Sequence, residues 1–558
     1  MKMMKKTSFK RSLVLIAAAA MCLSALTACS DSSSEGEDTA SEGDAVQTEQ
    51  ENAAETEEES KTPLGIYGDI RTEYNENLDL SDYPLTENNV PDDYTLTVEC
   101  ETAALEGNAK VSDNELASGG QYVSGVNVDG DKMTVTVDVE YTGFYNLNFR
   151  TKGSSDDRVN YVFVDGEQIG DITNNGLDEF TDCILSNIYL EEGTREIAVT
   201  PYWGYVDYDC IILTKSTAVI EETYNVTSGL TNENASENTV RLYNFLCDIY
   251  GKYSLAGQYA DEGRASSEYE KILAATGKSF AVLGLDVSGY SLGSQAHGTT
   301  SSTIEYAYDW YVNAGGIVQF CWHWTTPEAY AKNDSENPWY SSFYKEGSNL
   351  DLDKAMNGED DEAYQLLMDD IDNMAEQLKR LADEDVPILW RPLHEASGGW
   401  FWWGDCEPES YIKLWNVMYD KMTNEHGLNN LIWVWNGQDP DWYPGDETVD
   451  ICGWDIYAGE QVDTSQSGRF GDMATNYGEK TKLIALTENG CVMDPDKVFR
   501  DNSRWLFWGT WSDPFTMKLG VVLNDEYTTT ELLIKAYNHE RVLTLDELPN
   551  LTTYEKAE

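Results

Sequence analysis

Leu389-Trp390-Arg391-Pro392-Leu393-His394-Glu395 runs into Ala396-Ser397-Gly398-Gly399 and then the aromatic stretch Trp400-Phe401-Trp402-Trp403. Val386, Ile388, Leu389 and Trp390 have the apolar continuity of a short buried strand, entered through Pro387. Within two residues of that strand's end the chain turns polar, at His394 and Glu395, and then glycine-rich. An acid at the C-terminal end of a buried strand, beside a wall of indole rings, suits chemistry on sugars. The low-polarity wall raises the carboxyl pKa so that it holds its proton, and aromatic faces stack on pyranose rings. The alternative is a structural Glu395 paired with Arg391.

Cleavage of a glycosidic bond needs a second carboxylate. Lys482-Leu483-Ile484-Ala485-Leu486-Thr487-Glu488-Asn489-Gly490 supplies one, on another short apolar strand that ends in Glu. The chain between the two acids has room for three βα units. Arg-Pro-Leu-His-Glu at 391–395, the aromatic run and the second strand ending in Glu488 together resemble glycoside hydrolase family 26, the β-mannanase family. That family carries His before its acid/base Glu, where many retaining barrel glycosidases carry Asn, and this chain has His394. The resemblance implies that Glu395 is the acid/base and Glu488 the nucleophile, with no cofactor for catalysis.

From Asn238 onward, helices alternate with short apolar strands, the pattern of a parallel α/β architecture. Strands are expected at 253–257, 280–285, 316–322, 386–390, 431–435, 449–457, 483–486 and 505–508, with helices such as 370–382 and 411–426 between them. Eight strands fit an α/β fold of the (β/α)8 TIM barrel type over 238–550, with one large insertion at Lys332–Met356 after the third strand. Glu395 then follows strand four and Glu488 strand seven, both at the C-terminal face. Asp286 follows strand two. By the family resemblance His323 contacts substrate near the bond cut, although a loop histidine satisfied by backbone is the competing reading. His394 joins it as a binding residue. Trp400 matches the family's platform for the sugar flanking the cleavage point, Tyr457 the tyrosine that keeps the nucleophile ionised, and Trp511 the floor of the pocket. The rest of the chain's 17 Trp residues, such as Trp390 and Trp433 within strands, read as core.

The N-terminal part is organised differently. Lys2, Lys5, Lys6, Lys10 and Arg11 precede an apolar segment from Leu13 to Leu26, and Leu26-Thr27-Ala28-Cys29 resembles a bacterial lipobox. Residues 1–29 are expected to be a lipoprotein signal peptide, making the protein an extracellular, cell-surface lipoprotein anchored at Cys29; an ordinary signal peptide cut near Ala28 is the alternative. Residues 30–61, rich in Ser, Glu, Asp and Thr, have too little apolar surface to offset the entropy of ordering and read as a disordered acidic tether. With 100 acidic against 37 basic residues, a net charge of −63, the chain is no partner for nucleic acid. A monomer is expected.

Between 88 and 216, short alternating strands with Gly, Asn and Asp turns indicate an all-β sandwich of jelly-roll type. Glu99-Cys100-Glu101, Ser118-Gly119-Gly120-Gln121-Tyr122-Val123, Gly143-Phe144-Tyr145 and Trp203-Gly204-Tyr205-Val206-Asp207-Tyr208-Asp209 resemble carbohydrate-binding modules of families 35 and 6. That resemblance implies a structural Ca2+ held by Glu99, Glu101 and Asp209, an oxygen-only set suited to the ion. Tyr122 and Trp203 are candidates for sugar stacking or for ordinary packing. Residues 216–236 read as a linker. Ten cysteines occur with no CxxC spacing. Cys100, Cys321 and Cys452, within strands, read as small buried hydrophobes.

The sum of these readings is a retaining endo-β-1,4-mannanase acting on β-mannan or a related plant polysaccharide at the cell surface. A mixed-linkage β-glucanase or β-xylanase built on the same machinery is the nearest alternative, because hydrogen-bond placement rather than the carboxylate pair sets sugar specificity. A surface lipoprotein that only captures glycans is the other.

Overall fold

The computed structural model describes residues 68–153, 158–174 and 179–557. The signal peptide, Cys29 and the acidic tether lie outside the described residues.

The sandwich consists of two antiparallel sheets. One runs Lys110–Asp113, Gln121–Val126, Val206–Lys215, Gly143–Lys152, Thr181–Leu190, with Thr95–Glu99 also pairing onto Val206–Lys215; the other runs Ala104–Glu106, Lys132–Val139, Gly193–Trp203, Arg158–Val164, Glu167–Asn174. The alternation that predicted them fills the core: Met133, Val135, Val137 and Val139 point in from one strand while Thr134 and Thr136 between them stay accessible.

The barrel is closed by eight parallel strands: β1 (Gly257–Tyr259), β2 (Val282–Asp286), β3 (Ile317–Cys321), β4 (Ile388–Arg391), β5 (Leu431–Trp435), β6 (Ile451–Ile456), β7 (Leu483–Asn489) and β8 (Trp508–Thr510). Six coincide with the expected strands, differing at their ends; the first and last are shifted. The apolar run expected as the first strand gives only Ser254–Leu255, which pairs with Val542–Leu543 outside the barrel, and β1 begins at Gly257. The run at 505–508 likewise lies mostly before β8. Hydrophobicity misplaces both because the closing pair is polar, Gln258 opposite Thr510. Closure is also tight: a Cβ on Gly257 would come 2.0 Å from the carbonyl oxygen of Trp508.

The segment read as a linker is not a free tether. Tyr224 donates through its hydroxyl to the carbonyl of Asn502 at 2.5 Å, and the amide of Thr227 bonds the carbonyl of Thr481 at 3.1 Å. The stretch before the sandwich, unassigned from sequence, straps along the barrel. The buried Arg504 holds the carbonyls of Tyr83 (2.7 Å) and Pro84 (2.6 Å), and the amide of Arg71 bonds Asn313 O at 2.7 Å. Direct contacts complete the junction: Ser186 Oγ to Asp472 Oδ1 at 2.6 Å and Lys497 Nζ to Glu167 at 3.2 Å. The sandwich is therefore seated on the barrel at three places.

Candidate active site

Arg391 ends β4 pointing into the barrel, wholly buried. Its guanidinium does not pair with Glu395. It donates to Asp455 Oδ2 at 2.8 Å, to the Tyr259 hydroxyl at 2.8 Å, and to Glu488 Oε1 in a short ion pair. Asp455 is fixed in turn through Oδ1, which accepts from Asn436 Nδ2 and Thr487 Oγ1, both at 2.7 Å. The hydroxyl of Tyr457 donates to the other oxygen of Glu488 at 2.6 Å. Both oxygens of Glu488 thus face groups that favour its ionised form.

Glu395 sits in a different environment two residues past Leu393, and both have left-handed backbone, with φ of 53° and 52°. Such conformations cost about 1–3 kcal/mol each and persist where the surroundings enforce them. Here the Glu395 amide is held by the Asn436 carbonyl at 2.7 Å. The carboxyl accepts one bond, from the Trp400 indole N–H at 2.9 Å. One oxygen from each of Glu395, Asp455 and Glu488 lies within 4.8 Å of the others. Burial, then the negative charges of Asp455 and Glu488, push the Glu395 pKa well above the usual carboxylate range. Burial also raises Glu488, but Arg391 and Tyr457 work against it. Glu395, with no cation in contact, is thus biased toward its protonated form.

His394 is buried, and burial followed by the charge of Arg391 pushes its pKa well down, leaving a neutral imidazole. Its Nε2 lies 3.2 Å from His323 Nε2, and His323 Nδ1 lies 2.9 Å from Asp286 Oδ2. With the Nδ1 proton given to Asp286, His323 can accept the Nε2–H of His394. His323 is thus satisfied by a side-chain chain from strands two to four, not by backbone. Trp511 packs on Tyr259 with ring centroids 4.6 Å apart and edge-on to His323. The structure brings all seven expected residues (Glu395, Glu488, His323, His394, Trp400, Tyr457 and Trp511) to one mouth.

The glycine-rich turn and the insertion build the wall. A Cβ on Gly398 would stand 2.1 Å from the Trp400 ring, so only glycine lets the indole reach Glu395. The insertion after strand three docks on the aromatic run, with Lys345 N bonding Trp400 O at 2.9 Å and Trp402 N bonding Phe343 O at 3.1 Å. Asp455, Tyr259 and Asn436 were not assigned roles from sequence, and Arg391 only as the alternative partner of Glu395. Asn436 had a legible signal, a polar residue directly after the apolar strand Leu431–Trp435.

In the sandwich, Glu99, Asp209 and Cys210 come together, with Glu101 outside that group. Asp209 is engaged by Arg150 and by the Ser118 amide at 2.8 Å. Glu99 Oε2 and Glu101 Oε2 are buried without a partner among the described residues. Tyr122 meets Phe180 edge-on, and Trp203 ends a strand of the other sheet. Cys100, Cys321 and Cys452 are buried free thiols.

Replacing Tyr457 by Phe removes a donor that favours ionised Glu488, so the Glu488 pKa rises and less of it is charged at low pH. The acidic limb of the kcat/KM profile moves up by about 1–2 pH units, the equivalent of one hydrogen bond to a charged group. A pH profile of the variant checks this, and an unmoved acidic limb would remove Tyr457 from that role.

The profile of glycosyl hydrolase family 26 matches residues 231–547, and that of carbohydrate binding module family 35 matches residues 96–216. A mannan endo-1,4-β-mannosidase of Thermothelomyces thermophilus is 37% identical over 82% of this chain and 91% of its own length. Mannan endo-1,4-β-mannosidase B of Piromyces sp. is 34% identical over 82% of this chain and 78% of its own. The crystal structure of a Podospora anserina GH26-CBM35 β-(1,4)-mannanase superimposes with a TM-score of 0.57 at 34% identity, covering 83% of this chain and all of that one. With the paired glutamates, the buried arginine and the barrel in place, the chain belongs to glycosyl hydrolase family 26, an enzyme carrying an N-terminal family 35 carbohydrate-binding module.

Proposed function

We propose that the enzyme is a retaining endo-β-1,4-mannanase that works outside the cell, anchored through a lipid on Cys29. The observation that carries the retaining mechanism is the unequal treatment of two close carboxyls. Retention calls for a separation of about 5–5.5 Å between carboxyl groups, inversion for about 6.5–9.5 Å to admit a water. Oxygens of Glu395 and Glu488 within 4.8 Å of each other fit the shorter case. Glu395, holding its proton, gives it to the departing glycosidic oxygen while ionised Glu488 attacks the anomeric carbon and forms a glycosyl-enzyme. Glu395, now a carboxylate, takes a proton from water, whose oxygen displaces Glu488 and returns the site to its starting state. Arg391 and Tyr457 position Glu488 for attack, and Trp400 orients Glu395. Mannan as substrate is supported by the names of the relatives that match across both domains.

The roles separate by azide rescue. Glu488→Ala abolishes hydrolysis, and azide entering the vacated space converts an activated aryl β-mannoside to the α-azide. Glu395→Ala forms the glycosyl-enzyme from substrates with good leaving groups, stalls there, and yields the β-azide. The same anomer from both variants would sink the assignment. Release of reducing sugar from mannan, mixed-linkage β-glucan and xylan, compared side by side, reads the substrate.

The anchor rests on Leu26-Thr27-Ala28-Cys29 and the acidic stretch after it. Among the described residues no helix is long and apolar enough to cross a membrane. Cys29→Ala releases active enzyme into the medium, while the wild type stays with the cells; a wild type that is soluble and begins at another residue rules the anchor out. A single acyl chain holds marginally, so stable attachment implies more than one.

The buried, unpartnered oxygens of Glu99 and Glu101 support the expected Ca2+ at the acidic junction of first and last strands, where Asp209, the third expected ligand, is paired with Arg150. Treating the full chain with a chelator lowers the melting temperature of the sandwich transition, and Ca2+ restores it. An unchanged transition would leave these acids without an ion.

A further inference from the structure

A cleft of about 400 Å³ opens where the sandwich meets the barrel. One wall comes from the sandwich: Tyr161, Asp171 and Tyr202. The other comes from the end of β6 and the helix after it: Trp454, Tyr457 and Arg469. The cleft lies apart from the turns carrying Glu99 and Glu101, among the strands Arg158–Val164, Glu167–Asn174 and Thr181–Leu190. Tyr457 is the link to catalysis, because the residue that lines this cleft also donates to Glu488 at 2.6 Å.

The lining has the chemistry of a neutral polyhydroxyl ligand. Tyr161 and Tyr202 pack with ring centroids 4.7 Å apart and their planes tilted by 31°, and Tyr202 is 44% exposed, so one aromatic surface is open to solvent. Such a surface takes the C–H face of a pyranose. Asp171 and Arg469 are planar polar groups of opposite charge, able to grip vicinal hydroxyls through paired hydrogen bonds. Arg469 also lies over the Trp454 ring, 4.5 Å from its centroid, which orients the guanidinium. The acids Asp171 and Asp472 disfavour a phosphate-bearing ligand. The walls are also held in place: Gln168 of the sandwich donates to Ala458 O of the barrel at 3.3 Å, and Ser186 bonds Asp472. A cleft spanning two rigidly joined domains can bind without the ordering cost that a loosely tethered module bears.

We propose that this cleft is a distal subsite for the polysaccharide whose bond is cut at Glu395 and Glu488, built jointly by the sandwich and the barrel. It rests on the proposed reading of a β-linked glycan as substrate. A chain long enough to pass Tyr457 occupies it, and a short one does not.

The test is the affinity of the full-length chain, in an inactive Glu488→Gln background, for β-1,4-linked manno-, cello- and xylo-hexaose and for the corresponding trioses, by calorimetric titration. Tyr202→Ala, with an unchanged melting temperature, weakens binding of the preferred hexaose about threefold to tenfold, as loss of one aromatic contact implies, and leaves the triose within about twofold. Asp171→Ala follows the same pattern, and Tyr202→Phe retains hexaose affinity. If cello- or xylo-hexaose is the ligand that depends on Tyr202, the cleft stands and the mannan reading falls. Hexaose affinity unchanged in both Tyr202→Ala and Asp171→Ala, equal losses for triose and hexaose, or no binding of any hexaose would each overturn the proposal.

Discussion

A single buried guanidinium organises the centre of this enzyme. Glu395, Asp455 and Glu488 bring carboxylate oxygens within 4.8 Å of one another in a largely buried site, and Arg391 is the cation in direct contact with two of them. Three ionised carboxylates with one guanidinium would leave two uncompensated negative charges in a low-dielectric space, which is costly enough to keep a proton bound. Geometry decides where the proton stays. Asp455 is anchored by Arg391, Asn436 and Thr487, and Glu488 by Arg391 and Tyr457, leaving Glu395 with one indole N–H. The difference between Glu395 and Glu488 is thus a difference in distance from Arg391. The three buried charges depend on one another, because removing one partner strands the others away from water.

Around that centre the aromatic residues do two jobs. Trp322, Trp324, Trp402 and Trp403 are fully buried and hold the loops after β3 and β4 against each other, with Trp322 and Trp324 stacked at a centroid distance of 4.1 Å. Trp400 and Trp511 remain partly accessible at the mouth. Packing of the first set fixes the backbone from which the second set reaches out. The docking of the insertion on Trp400 and Trp402 belongs to the same arrangement, since it ties a long loop to backbone groups next to the acid.

The two domains are joined more firmly than their separate cores suggest. Chain enters along the barrel, folds the sandwich, and returns along the barrel through Tyr224 and Thr227, so both ends of the sandwich are pinned. Arg504 gathers the carbonyls of the incoming strap in a buried cluster with Tyr83, Tyr224 and Phe499. Because the sandwich cannot swing away from the barrel at low cost, the surface it presents beside Tyr457 is a fixed part of the enzyme.

Much of this was readable along the chain wherever the physics is local. Period-two alternation marked the sandwich, short apolar runs between helices marked most of the barrel, and the abrupt polar switch after two of those runs exposed Glu395 and Glu488, because a strand that leaves the core must change character at its end. His394 and Trp400 were visible for the same reason, lying within a few residues of the acid. The pairings that give these residues their chemistry were decided only in three dimensions. Arg391 stands four residues from Glu395, yet bonds Glu488, Asp455 and Tyr259, which arrive from three other strands; adjacency in sequence therefore suggested the wrong partner. The closing strands of the barrel were misplaced because their contacts are a glycine approach and a polar pair, neither of which leaves a hydrophobic trace. The strap, the pinned linker and the cleft beside Tyr457 left no trace either, since each arises where segments far apart in sequence meet, and no periodicity records which distant surfaces will touch.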